Sequence, residues 1–174
     1  MQQKTRRTCP SSSKSAAPPP GDTVGQALDL LSRRAHSKWE LRRKLRMKGF
    51  EAGAIDAAIA RLVDLGYLND SSFAKGLVRR RAALRGPRAL SAELAARGVD
   101  RAEADEAVAE FDLEAQLVSA TRLAERLCAR KPGIRYREML DTVGTKLLRR
   151  GFPTHVVYAA CRSVLQGAAQ PPED

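Results

Sequence analysis

The chain is poor in the residues that build metal sites and disulfide frameworks. It has three cysteines, Cys9, Cys128 and Cys161, without a CxxC pair, and two histidines, His36 and His155. An odd cysteine count with scattered ligands points to reduced thiols and gives no local zinc site, so neither metal nor cofactor is expected. Aromatic residues make up only 5%, with one tryptophan, Trp39, which disfavours a sheet-built core. No stretch approaches the roughly 18 apolar residues of a membrane span, and the N-terminus MQQKTRRTCPSSSKSAAPPPG lacks the apolar run of a secretory signal. A G-x-x-x-x-G-K-[ST] phosphate loop is missing, and no nucleophile motif accompanies either histidine. These absences lead us to expect a cytoplasmic, non-enzymatic protein; a monomer is expected as well.

Positive charge is abundant. Lys plus Arg number 31 against 20 Asp plus Glu in 174 residues, a formal +11 with a pI near 10.2. Such an excess favours a polyanionic partner or an acidic protein surface. It is unevenly spread, with four basic and no acidic residues in 1–21, against seven acidic residues and only Arg101 in 99–115. Residues 1–21, rich in Ser and Pro, bury too little to offset the entropy of ordering and read as a disordered basic tail. Residues 167–174 read as a disordered C-terminal tail.

Between the tails, Ala, Leu and Arg recur at helical spacing. A first helix is expected over 23–35, with Ala27, Leu28 and Leu31 inward and Asp22 as its N-cap. Ser37 and Glu40 stand at capping-box spacing, the hydroxyl accepting from an early N–H and the carboxylate reaching back. A second helix then runs to Gly49 and a third, over 52–65, ends at Gly66. Glycine suits a left-handed residue just past a helix end because it has no Cβ to clash.

The segment KLRMKGF (44–50) has echoes in ELAARGV (93–99) and KLLRRGF (146–152). Aligned on Gly49, Gly98 and Gly151, core-type residues recur. Leu41, Leu90 and Val143 stand eight before; Leu45, Leu94 and Leu147 four before; Phe50, Val99 and Phe152 directly after. Beyond the glycine come Ile55, Ala104 and Val157, then Ile59, Val108 and Cys161, then Leu62, Phe111 and Val164, all on one helical face. With further helices over 70–85 and 113–130, the fold expected is all-α: three tandem three-helix repeats, 22–66, 67–111 and 112–166. Small units stack to bury their cores, which predicts an elongated, curved array.

The stretches HSKWELRRKL (36–45), GYLNDSSFA (66–74), GPRALSAEL (86–94) followed by RGV, and RRGF (149–152) together resemble the bacterial RecX family of recombination regulators, over roughly residues 22 to 165. The resemblance implies a protein that binds RecA filaments within their helical groove and restrains strand exchange, ATP hydrolysis and filament growth in homologous recombination and the DNA-damage (SOS) response. The chain departs from that pattern at Gly76, which interrupts the helix after DSSFA, at Trp39 in an otherwise polar slot, and in the length of its basic tail.

Three basic groups are candidate contacts to RecA or to single- or double-stranded DNA: Arg42, Arg43 and Arg46; Lys75, Arg79, Arg80, Arg81, Arg85 and Arg88; Lys146 and Arg149. The second has no acidic side chain within its own segment and is the strongest. Lys48, Arg97 and Arg150 read as cations facing the negative ends of helix dipoles. Trp39 is expected against the first helix, Asp70 as an N-cap after Gly66, and Cys161 in the core. The acidic segment reads as a solvent-facing helix capped by Asp100, or else as the partner of a basic neighbour. The alternative to filament regulation is a stand-alone basic nucleic-acid-binding module.

Overall fold

In the computed structural model, which describes residues 22–129 and 135–169, the chain forms nine helices and no strand among those residues. They are α1 (Asp22–Arg33), α2 (Lys38–Met47), α3 (Ala52–Asp64), α4 (Asp70–Arg81), α5 (Pro87–Ala96), α6 (Arg101–Ala109), α7 (Leu113–Cys128), α8 and α9 (Thr154–Ala169). Helix α8 is built from Tyr136–Met139, a π-helical stretch Leu140–Gly144, and Thr145–Arg149. The tail 1–21 lies outside the described residues, as do 170–174; 167–169, assigned to the C-terminal tail from sequence, continue α9.

Local chemistry explains the helix ends. Asn69, Asp100 and Asp112 accept from the N–H groups of Ser72, Ala102 and Ala115, each at 2.8 Å, satisfying donors with no partner inside the helix. Pro87 opens α5, where its missing N–H costs nothing. Gly49, Gly66, Gly98 and Gly151 all have positive φ, between 69° and 89°, so each turns the chain as expected. Helix α4 passes through Gly76 without a break.

Of the eighteen repeat-pattern residues, all but Val108 and Val164 are buried, and those two pack partly buried against the core. Leu28 is a correction. It is 38% exposed, and the inward face of α1 is formed by Thr23, Val24, Ala27, Leu30 and Leu31. The apolar interior divides into two clusters. One belongs to α1–α3 and includes Leu68, assigned to the second repeat from sequence. The other runs continuously through α4–α9. The second and third helix triplets therefore share a core, while the first is joined to them by a different kind of contact.

Candidate interaction surface

That contact forms where the first turn of α2 meets the corner after α5. Ser37 Oγ accepts from the Glu40 N–H at 3.0 Å and donates to the Arg97 carbonyl at 2.5 Å. The next N–H, of Lys38, donates to Asp70 Oδ1 at 2.8 Å. Asp70 is thus no cap of its own helix, whose N-cap is Asn69. It is a buried carboxylate at the positive end of a neighbouring helix, where a negative charge is favoured.

Only half of the expected capping box forms. The Glu40 carboxylate turns to Arg34 (3.1 Å), His36 Nδ1 (3.1 Å) and Arg97 Nη1 (2.8 Å), and Arg97 Nη2 also reaches Glu93 at 3.0 Å. Arg97 is accordingly a clasp between triplets, correcting its reading as a dipole cation. Burial pushes the Glu40 carboxyl upward, but hydrogen bonds from Arg34 and His36 and the charges of Arg34 and Arg97 outweigh it and hold the group below the ordinary carboxylate value. Burial depresses His36 more than its bond to Glu40 raises it, and Arg34 and Lys44 repel a second positive charge there. A neutral imidazole protonated on Nδ1 donates to Glu40 while Nε2 accepts from Lys44 Nζ at 3.4 Å.

The second joint follows the same plan at equivalent positions. Gly86, twelve residues before its glycine as Ser37 is before Gly49, donates its N–H to the Arg150 carbonyl at 2.8 Å; the Arg88 N–H donates to Gly151 O at 3.2 Å. The corners at Gly98 and Gly151 are thus each a seat for the preceding triplet. A Cβ on Gly98 would collide with Trp39, and one on Gly151 with the backbone of Ala89, whereas one on Gly49 would meet nothing within 4 Å among the described residues. Trp39 therefore sits against the second corner and carries Arg43 over its ring at 5.5 Å. No residue pattern marks this seat, because a serine side chain makes the contact in one joint and a glycine backbone in the other.

The basic candidates separate by partner. Lys75 bridges Glu106 at 2.9 Å and Glu110 at 2.8 Å, which overturns its reading as unneutralised and gives the acidic helix α6 a basic neighbour. Hydrogen bonds to Glu110 and then Glu106 raise its pKa. Arg42 pairs with Asp56 at 2.7 Å across an exposed surface, a contact of little net strength. Arg81 stands 3.8 Å from Glu93. Arg46, Arg79, Arg80, Arg85, Arg88, Lys146 and Arg149 are exposed and have no carboxylate within ion-pair distance among the described residues.

The backbone bonds of the second joint place the Arg85–Arg88 loop against the corner that carries Arg149 and Arg150. The second and third basic groups adjoin there, while among the described residues no hydrogen bond or ion pair links either to Arg42, Arg43 or Arg46. Cys161 is buried and its thiol is pushed up to about 11 by burial and by neighbouring Cys128, so it packs as an inert apolar group. Among the described residues no cluster of His, Cys, Asp and Glu could hold a metal ion, and no helix is long and apolar enough to cross a membrane.

Comparison with known proteins places this geometry in a family. Residues 25–62 match the model of the first three-helix domain of RecX, and residues 69–108 that of the second. The regulatory protein RecX of Xanthomonas axonopodis pv. citri is 37% identical over 147 residues, covering 82% of this chain and 88% of that protein. RecX of Listeria monocytogenes serotype 4b is 30% identical over 139 residues, covering 79% of this chain. The chain spans about half, 52%, of that longer relative. The crystal structure of RecX from Lactobacillus salivarius superposes with a TM-score of 0.76 at 25% identity, over 84% of this chain and 97% of that one. With its tandem three-helix units and a relative matched over most of both lengths, the chain belongs to the RecX family of regulatory proteins.

Proposed function

We propose that the protein binds RecA filaments assembled on single-stranded DNA and inhibits their ATPase, strand exchange and growth. It would do so by binding alone, without chemistry of its own. The observation that carries this reading is the exposed run Arg79, Arg80, Arg85 and Arg88, unpaired among the described residues and continued by Lys146 and Arg149 across the second joint. A cationic strip on a row of helical repeats can gain from many modest contacts along a repeating partner. If it holds one arrangement of the filament better than another, it shifts the population toward that arrangement. Family membership supports a regulatory role, and the strip supplies a surface for acidic protein or phosphate.

The test is a titration of the protein into RecA hydrolysing ATP on single-stranded DNA, at moderate salt, with filament binding followed in parallel. Inhibition with co-sedimentation is expected; absence of both would remove the proposal. Tight binding to bare DNA with a steep salt slope, indifferent to RecA, would instead establish the stand-alone nucleic-acid module.

A further inference from the structure

The first joint encloses a cleft of about 280 Å³ that the proposed strip only borders. Its floor is apolar, made by Phe73 and Leu77 of α4, both nearly fully buried. Its rim carries four guanidiniums, from Arg34 of the α1–α2 connection, Arg80 and Arg81 of α4, and Arg97 after α5. Among the described residues two carboxylates pair with them, Glu93 in the cleft lining and Glu40 behind Arg34 and Arg97. Arg34 and Arg97 are engaged by these at 2.8 to 3.1 Å. Arg81 lies beyond hydrogen-bond reach of Glu93 at 3.8 Å, and Arg80 has no carboxylate within ion-pair distance among the described residues. Two positive charges are left over above an apolar floor.

We propose that this cleft receives an acidic-apolar segment of a partner protein, one that lays an aliphatic side chain on Phe73 and Leu77 and offers a neighbouring Glu or Asp to Arg80 and Arg81. Guanidinium forks match planar carboxylates with two parallel donors, and the cleft already uses carboxylates as counter-ions on its inner side. A nucleic-acid backbone fits less well. It would present phosphates to the rim but nothing aliphatic to the floor. The inference rests on the reading of the chain as a protein-filament regulator, and it assigns the acidic contact to the joint.

Fluorescence anisotropy tests it with the full chain and a labelled peptide carrying two Glu-Leu-Glu triplets. Controls are a peptide of equal charge with Ser in place of Leu, and a labelled oligothymidylate. The Glu-Leu-Glu peptide should bind about tenfold more tightly than its Ser counterpart, and Arg80→Glu should weaken it by about tenfold. Arg80→Gln, which keeps side-chain bulk and guards against misfolding, should weaken it by several-fold, and Arg61→Glu, an equal charge change at an exposed position of α3, by less than about twofold. Equal binding of both peptides, equal losses from Arg80→Glu and Arg61→Glu, or displacement of the peptide by oligothymidylate from the Arg80 site would overturn the proposal. RecA ATPase measured beside it separates the two readings. No peptide binding with intact inhibition sinks only the cleft, whereas peptide binding without inhibition sinks only the filament reading.

Discussion

Arg97 and Glu40 are 57 positions apart in sequence, yet Arg97 Nη1 donates to Glu40 Oε1 at 2.8 Å. This one pair ties the end of α5 to the start of α2, and through it Arg34, His36 and Glu93 become a single network. The apolar core of α1–α3 is separate from that of α4–α9, so the polar network carries much of the connection between them. Charges removed from water are costly unless fully paired. This joint is therefore stable as a complete set and vulnerable to loss of any member.

Replacing Arg97 by Ala leaves Glu40 half-satisfied and should cost about 2 kcal/mol, and Glu40→Ala a similar amount. In a double-mutant cycle by urea denaturation, the pair should show a coupling of about 1 kcal/mol. Additive losses would mean that the clasp contributes nothing beyond its separate parts.

Acid should loosen the same joint in two stages. Folding lowers the pKa of His36 from its ordinary 6.5 and that of Glu40 from 4.5, so at both groups the folded state binds fewer protons than the unfolded chain. Stability from each is complete above its unfolded value and is lost as pH falls through the folded one. The urea midpoint should decline as pH drops below 6.5 and decline further below 4.5. His36→Gln should flatten the upper stage; an unchanged profile in that variant would exclude His36 as its source.

Alanine at the three glycine corners distinguishes turning from seating. Gly49→Ala meets open space and should cost about 1 to 2 kcal/mol, the strain of a left-handed residue with a Cβ. Gly98→Ala and Gly151→Ala add a collision with Trp39 or with the Ala89 backbone and should cost at least about 1 kcal/mol more. Three equal losses in thermal melts would show that the corners are not seats.

Leu45, Leu94 and Leu147, each 0% exposed, are the cleanest test of the repeat itself. Truncation of any one to Ala should destabilise the protein by about 2 to 5 kcal/mol. A change below about 0.5 kcal/mol at any position would mark it as surface.

The periodic part of the fold was legible because burial and helical geometry act within one unit. Leu41, Leu45 and Phe50 repeat at fixed offsets because every triplet solves the same packing problem. The joints were less legible, since Asp70, Glu40 and Arg97 each have a good local role that tertiary contacts override. Asp70 stands where a cap would, but Asn69 takes that place and frees Asp70 for the N–H of Lys38. The neutralisation of Lys75 likewise depends on the packing of α4 against α6, a contact between residues 31 and 35 positions apart that no local pattern encodes.

That neutralisation yields a functional prediction within one helix. Lys75 and Arg79 lie one turn apart on α4, but the first is held by two carboxylates while the second has none within ion-pair distance among the described residues. Long-range attraction to an anionic partner follows the summed local charge, which near Lys75 is already cancelled. Arg79→Glu combined with Arg85→Glu should therefore raise the concentration needed for half-inhibition of RecA ATPase by about tenfold or more. Lys75→Gln should leave it within about twofold, and the inhibition by the unmodified protein should weaken with added salt. If Lys75→Gln proved as damaging as the arginine reversals while the helical signal stayed intact, the acting surface would lie on the α4–α6 face and not on the strip from Arg79 to Arg149.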